Sequence, residues 1–106
     1  MIEIRTTASY DKWFDRLRDE RAKAKINARL IRLTLSNPGD LKGLGGGLSE
    51  LRVDYGPGYR IYLVRKGDVY VVLLCGGDKS SQHADIVLAS RLAAEWMDQR
   101  HAPRNP

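Results

Sequence analysis

The apolar residues in the first third of the chain recur with the period of an α-helix. In the first predicted helix they lie at positions i, i+3, i+4 and i+7, which are Tyr10, Trp13, Phe14 and Leu17. In the second they are Ala22, Ile26, Leu30 and Leu33. Thr6 or Thr7 can cap the first helix. The second runs from about Glu20 to Ser36 and ends at "NPGD", because proline and glycine terminate helices, so the two form a hairpin.

Strand patterns occupy a short segment near the start of the chain and much of its middle. "IEIR" at residues 2–5 alternates apolar and charged residues. Three further strands are predicted at "LSELRVD" (48–54), "YRIYLVR" (59–65) and "DVYVVLLC" (68–75). The connections "GPG" and "KG" are short enough to predict antiparallel hairpins. A closing helix follows from about Ser81 to Gln99, with apolar residues at Ile86, Ala89, Ala93 and Trp96.

The segment "LKGLGGGLSE" holds four glycines in ten residues. A phosphate-binding P-loop would need the order G-x-x-x-x-G-K-S/T and would lead into a helix, whereas this segment leads into a strand pattern. We therefore expect a flexible connection between the helical hairpin and the strands, in which the glycines serve conformation rather than ligand binding.

This order of elements predicts an α+β fold. We expect a small antiparallel β-sheet with an N-terminal strand and helical hairpin, and a C-terminal helix packed on one face. The chain of 106 residues suits a single domain, which we place at residues 1–99, with residues 100–106 as a flexible tail. The sequence shows no internal repeat.

A turn centred on Pro57 determines which residues of the first predicted strand pair lie opposite each other. The expected pairs are Asp54 with Arg60, Arg52 with Tyr62, and Glu50 with Val64. One face of the pair is then apolar and carries Leu51, Val53, Tyr55, Tyr59, Ile61 and Leu63, because side chains alternate between faces. The other carries Glu50, Arg52, Asp54, Arg60 and Tyr62. We expect the three helices to cover the apolar face and to leave the charged face at least partly open.

The arginines on this charged face admit two interpretations. Asp54 opposite Arg60 is an ordinary cross-strand ion pair, which stabilises a sheet by roughly 0.2–1 kcal/mol. That interpretation leaves Arg52 and Tyr62 on the same face without a reason. The alternative is that the rigid turn sets a register that places two arginines and a tyrosine together on an open surface.

The net charge of the chain is compatible with more than one class of partner. The chain carries 18 Lys and Arg against 13 Asp and Glu, a net charge of +5 with a sequence pI near 9.6. This balance fits nucleic acid or an acidic protein, although basic runs such as "RAKAKINARLIR" are also typical of a solvated helix face. The sequence has no long apolar run and no signal-peptide pattern, so we expect a cytoplasmic protein without a membrane partner.

Cysteine and histidine give little support for metal or thiol chemistry. Cys75 is the single cysteine and lies in an apolar run, where we expect a buried and unreactive thiol. His83 and His101 lack the spacing of metal ligands. We therefore expect neither a metal nor a cofactor.

Two motifs make the chain recognisable. They are E-L-R-x-x-Y-G-P-G-Y-R-x-Y at residues 50–62 and G-G-D-K-x-x-Q-x-x-D-I at residues 76–86. With them the chain resembles the addiction-module killer proteins, a HigB-like branch of the RelE/ParE toxin superfamily, over nearly its whole length. The resemblance implies a bacterial type II toxin held inactive by a cognate antitoxin, often of the helix-turn-helix type. RelE-like relatives cleave mRNA in the ribosomal A site, whereas ParE-like relatives block DNA gyrase, so fold alone leaves the target open.

Cleavage of mRNA by the ribose 2′-hydroxyl needs a proton acceptor, a proton donor and cations for the phosphate. Arg52 and Arg60 are the candidate phosphate-binding cations, because the planar guanidinium group matches phosphate oxygens and stays charged. The other candidate catalytic residues are Tyr62, Lys79, His83 and Glu50. The expected RNA contacts are Arg52, Arg60, Lys79 and Lys42. Asp78 and Asp85 are expected to stabilise the start of the closing helix.

The residue types expected at the site depart in part from those of the best-defined relatives. RelE-like sites are rich in lysine and arginine and some HigB-like sites use histidines on strands, but "LSELRVD" contains neither a lysine nor a histidine. The general acid and base therefore stay open between His83, a possible proton acceptor or donor near neutral pH, and Glu50.

Three functions compete at this point. The leading hypothesis is a ribosome-dependent mRNA endoribonuclease that inhibits translation. The alternatives are a gyrase inhibitor without enzymatic activity and a non-toxic module that only binds its antitoxin. The antitoxin would bind the basic surface, or it would dock on the helices and exclude the toxin from the ribosome.

Overall fold

The computed structural model describes residues 2–67 and 69–101, and for residues 97–101 the backbone alone. In this part of the chain the elements are β1 (Glu3–Thr6), α1 (Ala8–Arg16), α2 (Glu20–Thr34), β2 (Leu41–Gly45), β3 (Leu48–Val53), β4 (Tyr59–Lys66), β5 (Tyr70–Asp78), a 3₁₀ turn (Lys79–Ser81) and α3 (Gln82–His101). The last helix extends beyond its predicted end, and residues 102–106 of the predicted tail lie outside the described residues. None of the helices described combines the length and apolar character needed to cross a membrane.

The strands of the described chain form a five-stranded sheet in the order β1-β5-β4-β3-β2. Strands β2 to β5 pair with antiparallel neighbours, and β1 pairs with β5 in parallel. The predicted α+β class is confirmed.

The predicted caps and ends of the helical hairpin are largely confirmed. The Thr7 hydroxyl accepts a hydrogen bond from the backbone N–H of Tyr10 at 3.1 Å and begins α1. Asp19 caps α2 by accepting from the N–H groups of Arg21 and Ala22. The second helix ends two residues earlier than predicted, where Ser36 adopts a left-handed conformation with φ of 63°. Side-chain and backbone chemistry therefore define this hairpin as the sequence pattern predicts.

The helices cover both faces of the sheet, which corrects the expectation that they would share the apolar one. The helices α1 and α2 pack on a core that includes Leu51, Ile61 and Leu63. The helix α3 packs on the opposite face, against a second core that includes Tyr62 and Leu74. The signal for this arrangement lies in β5, where residues 70–77 are all buried. A continuous apolar run of this kind is typical of a strand that is covered on both faces.

The register of the β3–β4 hairpin differs by two residues from the predicted one. Arg52 lies opposite Arg60 and Glu50 opposite Tyr62, and Asp54 lies beyond the end of β3 and is exposed. The predicted Asp54–Arg60 pairing is therefore wrong, because the turn spans Asp54 to Gly58 and is longer than assumed. A shift of two residues keeps every side chain on its own face, so the predicted division into faces is confirmed.

The glycine-rich segment is a β-hairpin rather than a flexible connection. Residues 41–45 form β2, an edge strand that pairs with β3, and Gly46 and Gly47 form the two-residue turn with φ of 62° and 83°. Two successive positive φ values are what this tight hairpin requires, and glycine adopts them without steric cost. The glycines do serve conformation, but they create a fifth strand that the pattern of apolar residues did not reveal.

Two adjacent glycines at the end of β5 allow close packing on opposite faces of the sheet. A Cβ atom on Gly76 would overlap the indole ring of Trp13 from α1. A Cβ atom on Gly77 would overlap the carboxylate of Asp85 from α3. Since successive residues of a strand point to opposite faces, one glycine admits each helix. The "GG" of the second motif therefore has a packing role.

We expect Gly76→Ala to lower the free energy of unfolding by about 1–3 kcal/mol, because the rigid indole ring cannot yield to the added methyl group. Gly43→Ala is the matched control, since a Cβ there would meet no atom within 4 Å and the change should stay within about 0.5 kcal/mol. Urea denaturation followed by circular dichroism measures both. Equal stability of the two variants would contradict the packing role of Gly76.

Candidate functional site

The site is built around the carboxylate of Glu50, whose side chain on β3 has no exposed surface. Oε1 accepts hydrogen bonds from Arg52 Nε and from Arg60 Nη1, each at 3.0 Å. Oε2 accepts a hydrogen bond from Gln82 Nε2 at 3.0 Å. One carboxylate thus joins side chains from β3, β4 and the first turn of α3, and it sets the positions of two guanidinium groups.

The surroundings of Glu50 favour its charged form. Burial alone would raise its pKa, but hydrogen bonds from Arg52 and Gln82, the nearby Tyr62 hydroxyl and the charge of Arg60 lower the pKa below its ordinary value. The hydrogen bond to Glu50 in turn raises the pKa of Arg52. An ionised carboxylate that already binds three donors is a poor proton acceptor. Its chemistry is that of an anion that orients two arginines.

The two arginines differ in what they offer to a ligand. The Arg52 side chain is 35% exposed and binds Glu50 through Nε, whereas the Arg60 side chain is 13% exposed and binds it through Nη1. Arg60 Nε is buried and has no hydrogen-bond partner among the described residues. Two guanidinium groups on one carboxylate leave a net positive charge, which suits an anion with several acceptor oxygens.

A further arginine holds the strand from behind. Arg29 on α2 donates through Nη1 to the backbone carbonyl of Arg52, and through Nη2 to the carbonyl of Pro38 at 3.0 Å. Burial lowers the pKa of Arg29, with a smaller contribution from the nearby charge of Arg32. Its position below the strand means that it supports the backbone of the site rather than contacting a ligand there. No sequence pattern distinguishes Arg29 from the other basic residues on α2.

The arginines open into a small cleft of about 190 Å³ at the end of the sheet. The cleft is lined by Asp40, Arg52, Val53, Asp54, Gly58, Tyr59, Arg60 and Lys79. Lys79 reaches it because the "YGPG" turn lies close by: a Cβ on Gly58 would be 3.7 Å from Lys79 Cβ. The structure therefore brings together Arg52, Arg60 and Lys79, three of the residues singled out in the sequence, around one concave surface.

The other candidate residues lie outside this cleft. Tyr62 is completely buried in the core under α3, so its ring has no exposed face on which a base could stack. Burial, followed by the neighbouring Glu50, raises the pKa of its hydroxyl. His83 is exposed in the first turn of α3. Lys42 is exposed on the edge strand β2, opposite Glu50 in the register.

The second motif acts mainly through the start of α3. Asp78 accepts hydrogen bonds from the backbone N–H and the hydroxyl of Ser80, and it forms a capping box with Ser81. Asp85 accepts a hydrogen bond from the Ser81 hydroxyl at 2.5 Å. This arrangement presents Gln82 to the buried carboxylate. Gln82 is the contact that the sequence argument missed, although its place in the motif was the available signal.

Cys75 lies between β5 and α3, as its apolar sequence context predicts. Its Sγ contacts the backbone carbonyl of Asp85 at 3.6 Å, and burial raises the pKa of the thiol to about 12. Such a thiol stays protonated near neutral pH. In the part of the chain that the structure describes, no three His, Cys, Asp or Glu side chains come close enough to hold a metal ion.

A larger cavity of about 460 Å³ lies at the opposite end of the strands. Its wall is mainly apolar and includes Leu48, Val64, Tyr70 and Trp96. Leu48 precedes Arg52 by four residues along β3, a distance of about 13 Å at the rise of a strand. Arg65, Lys66 and Ser90 also line this cavity. We place the candidate site at the smaller, charged cleft because three cations of the two sequence motifs converge there.

Comparisons with known proteins give a relative and a fold. No protein-family model matches the chain. An uncharacterized protein from Haemophilus influenzae is 53% identical over 94 residues, which cover 89% of this chain and 95% of that protein. The crystal structure of a copper-bound mutant toxin from Helicobacter pylori aligns with a TM-score of 0.58 at 23% identity, over 76% of this chain and 98% of that one. The solution structure of HP0894, a conserved hypothetical protein from the same organism, aligns with a TM-score of 0.48 at 23% identity.

We expect Glu50→Gln to destabilise the protein by about 3 kcal/mol or more at pH 7, because it leaves two buried or half-buried guanidinium groups without their counter-charge. Glu95→Gln, which removes a carboxylate from an exposed pair with Arg91, is the matched control and should cost less than about 1 kcal/mol. Urea denaturation measures both.

The same variant tests the pH dependence. The pKa of Glu50 is lowered by folding, so its contribution to stability is present above its unfolded value near 4.5 and is lost as the pH falls through the folded pKa. The difference in unfolding free energy between the native protein and Glu50→Gln should therefore shrink as the pH falls below about 4.5. A difference that stays constant down to acid pH would contradict the assignment of a charged Glu50.

Proposed function

We propose that this chain, which belongs to the same family as the uncharacterized Haemophilus influenzae protein, is the toxin of a type II toxin–antitoxin pair. We further propose that it inhibits translation as a ribosome-dependent mRNA endoribonuclease of the HigB-like branch. The fold that it shares with the Helicobacter pylori toxin supports the first statement. The observation that carries the second is the cleft in which Arg52, Arg60 and Lys79 meet, with both arginines oriented by one buried carboxylate.

The reaction that suits this cleft is transesterification at a phosphodiester of RNA. The ribose 2′-oxygen attacks the adjacent phosphorus and loses its proton, and the bond from phosphorus to the 5′-oxygen breaks as that oxygen gains a proton. The products are a 2′,3′-cyclic phosphate and a free 5′-hydroxyl. Negative charge accumulates on the phosphate oxygens in the transition state, so cations held in place beforehand lower the barrier.

Each cation has a distinct part in this reaction. Arg52, the more exposed of the two arginines, binds a non-bridging phosphate oxygen. Arg60, which is less exposed, adds positive charge next to it. Lys79, which lines the same cleft beside Gly58 of the turn, neutralises charge near the leaving oxygen. Glu50 is a positioning residue, because it binds both arginines and has no exposed surface for a substrate. Gln82 positions Glu50 in turn by donating to its carboxylate.

Proton transfer is assigned to His83 rather than to Glu50. His83 is exposed in the first turn of α3, directly after Gln82, and an imidazole group can both accept and donate a proton. Tyr62 keeps a supporting role below Arg60, since its hydroxyl is buried.

The partners of the proposed toxin follow from the same surface. A cognate antitoxin, of the helix-turn-helix type that accompanies this branch, would neutralise the protein by covering Arg52, Arg60 and Lys79 with an acidic segment. In the absence of the antitoxin, the basic surface would bind mRNA on the ribosome in the cytoplasm. Lys42, on the exposed edge of the sheet, would add a contact to the RNA backbone.

We expect Arg52→Ala to slow mRNA cleavage by about a hundredfold or more, because one preorganised donor to the transition state is lost. Arg52→Lys should recover only part of the rate, since the ammonium group keeps the charge without the planar fork. Arg91→Ala, an exposed arginine on α3, is the control and should cleave at the native rate. The measurement is primer extension on mRNA from a cell-free translation reaction, with ribosome-free RNA alongside.

Three outcomes would contradict the endoribonuclease. If Arg52→Ala cleaves like the native protein, the cleft is not the reaction site. If mRNA stays intact while gyrase-cleaved DNA accumulates, the protein is a gyrase inhibitor. If overproduction without antitoxin leaves growth unchanged, the chain is a module that only binds its antitoxin. Circular dichroism of each variant confirms that the fold is retained.

A further inference from the structure

The turn at residues 55–58 separates two depressions on the surface. On one side lies the arginine cleft, whose lining includes Asp54 and Gly58. On the other side lies an open recess lined by Arg21, Ala24, Lys25 and Ala28 of α2 and by Tyr55 of the turn. Asp54 and Tyr55 are consecutive residues, with Cα atoms about 3.8 Å apart, so the two depressions are next to each other.

The ring of Tyr55 is held from two directions. Its hydroxyl donates to Asp19 Oδ2 at 3.1 Å, and the Lys25 ammonium lies 5.3 Å from the ring centroid. The Asp19 carboxylate also accepts hydrogen bonds from two backbone N–H groups at the start of α2, so it is held in place by the helix that it caps. The ring therefore has a defined orientation at the surface without being fully buried.

The helix side of the recess is formed by small and basic residues in alternation. Arg21, Ala24, Lys25 and Ala28 lie at i, i+3, i+4 and i+7 and share one face of α2. The two alanines carry only methyl groups, which leaves room beside the Tyr55 ring. The Lys25 ammonium lies over the Tyr55 ring, so a flat group that stacks on this face must displace the ammonium.

We propose that this recess binds a nucleotide of single-stranded RNA next to the one whose phosphate lies in the arginine cleft. The base stacks on Tyr55 in place of the Lys25 ammonium, and the displaced ammonium pairs with the phosphate together with Arg21. This combination of an aromatic platform and a basic groove is how proteins bind single-stranded nucleic acid with little sequence preference. The inference rests on the proposed function, because it extends the RNA path beyond the cleft. An acidic peptide would use the two cations but would have no need of the oriented ring.

The test is binding of a fluorescein-labelled oligouridylate to the full chain, measured by fluorescence anisotropy at low salt, together with an abasic strand of equal charge. Tyr55→Leu should weaken binding of the oligouridylate about tenfold and leave the abasic strand unaffected. Tyr55→Phe keeps the ring and should bind like the native protein. The double variant Arg21→Ala with Lys25→Ala should weaken the binding of both strands. It should also reduce the slope of log K against log salt concentration by about one or more.

The control is a double variant of two exposed cations outside both depressions, Lys12→Ala with Arg91→Ala, which removes the same charge and should weaken binding less than the recess variant. Native affinity in both recess variants, while Arg52→Ala binds weakly, would overturn the recess and leave the proposed function standing. Loss of binding in the recess variants, with no mRNA cleavage by the native protein, would overturn only the proposed function. Oligoglutamate serves as an anion without bases. The inference would be overturned if the native protein binds no oligouridylate, or if Tyr55→Leu loses affinity equally for the oligouridylate, the abasic strand and oligoglutamate.

Discussion

A carboxylate that has no exposed surface must be surrounded by hydrogen-bond donors, and Glu50 imposes this constraint on the rest of the molecule. Its donors come from its own strand, from the neighbouring strand and from α3. The strands must therefore pair in one register, and the helix must begin at one point. Burial of three charged groups costs desolvation free energy, so the cluster contributes a defined geometry more than it contributes stability. That geometry is what a site for an anionic substrate requires.

The sheet meets this constraint by admitting helices very closely on both faces. Gly76 lets the Trp13 ring approach from one side, and Gly77 lets the Asp85 carboxylate approach from the other. The contact of Asp85 with Ser81, and the capping box of Asp78, then set the start of α3. Gln82 follows at the one place from which it reaches Glu50. The residues of the second motif therefore determine where α3 packs on the sheet, and this packing determines the positions of the cations.

Much of the fold could be predicted from the sequence, because the alternation of side chains between faces is unchanged when the predicted register is wrong by an even number of residues. The β3–β4 register was wrong by two residues, yet an even shift keeps Arg52 and Arg60 on the same face. The edge strand β2 was missed, because two of its five residues are glycines, which carry no side chains that could show alternation, and two more glycines form the turn after it. The placement of α3 was missed for a different reason: a small sheet can bury one face or two, and only the unbroken burial of β5 distinguishes these cases.

The cations of the candidate site could be predicted from the sequence, but the residues that hold them in place could not. Arg52, Arg60 and Lys79 meet at one cleft, as their motifs indicate. The contact between Gln82 and Glu50 joins residues that are 32 positions apart, and the one from Arg29 to the Arg52 carbonyl joins residues 23 apart. No local pattern contains such contacts, since they depend on how the helices dock. The burial of Tyr62 belongs to the same class.

The position of Cys75 has a consequence for experiments on this molecule. It is the single cysteine of the chain, and it is enclosed between β5 and α3 with its sulfur against a helix carbonyl. A thiol reagent can reach it only when α3 lifts from the sheet, so the rate of labelling reports the frequency of that opening. Because α3 also carries Gln82, this natural probe reads the motion that would release the arginines, without any label having to be engineered into the protein.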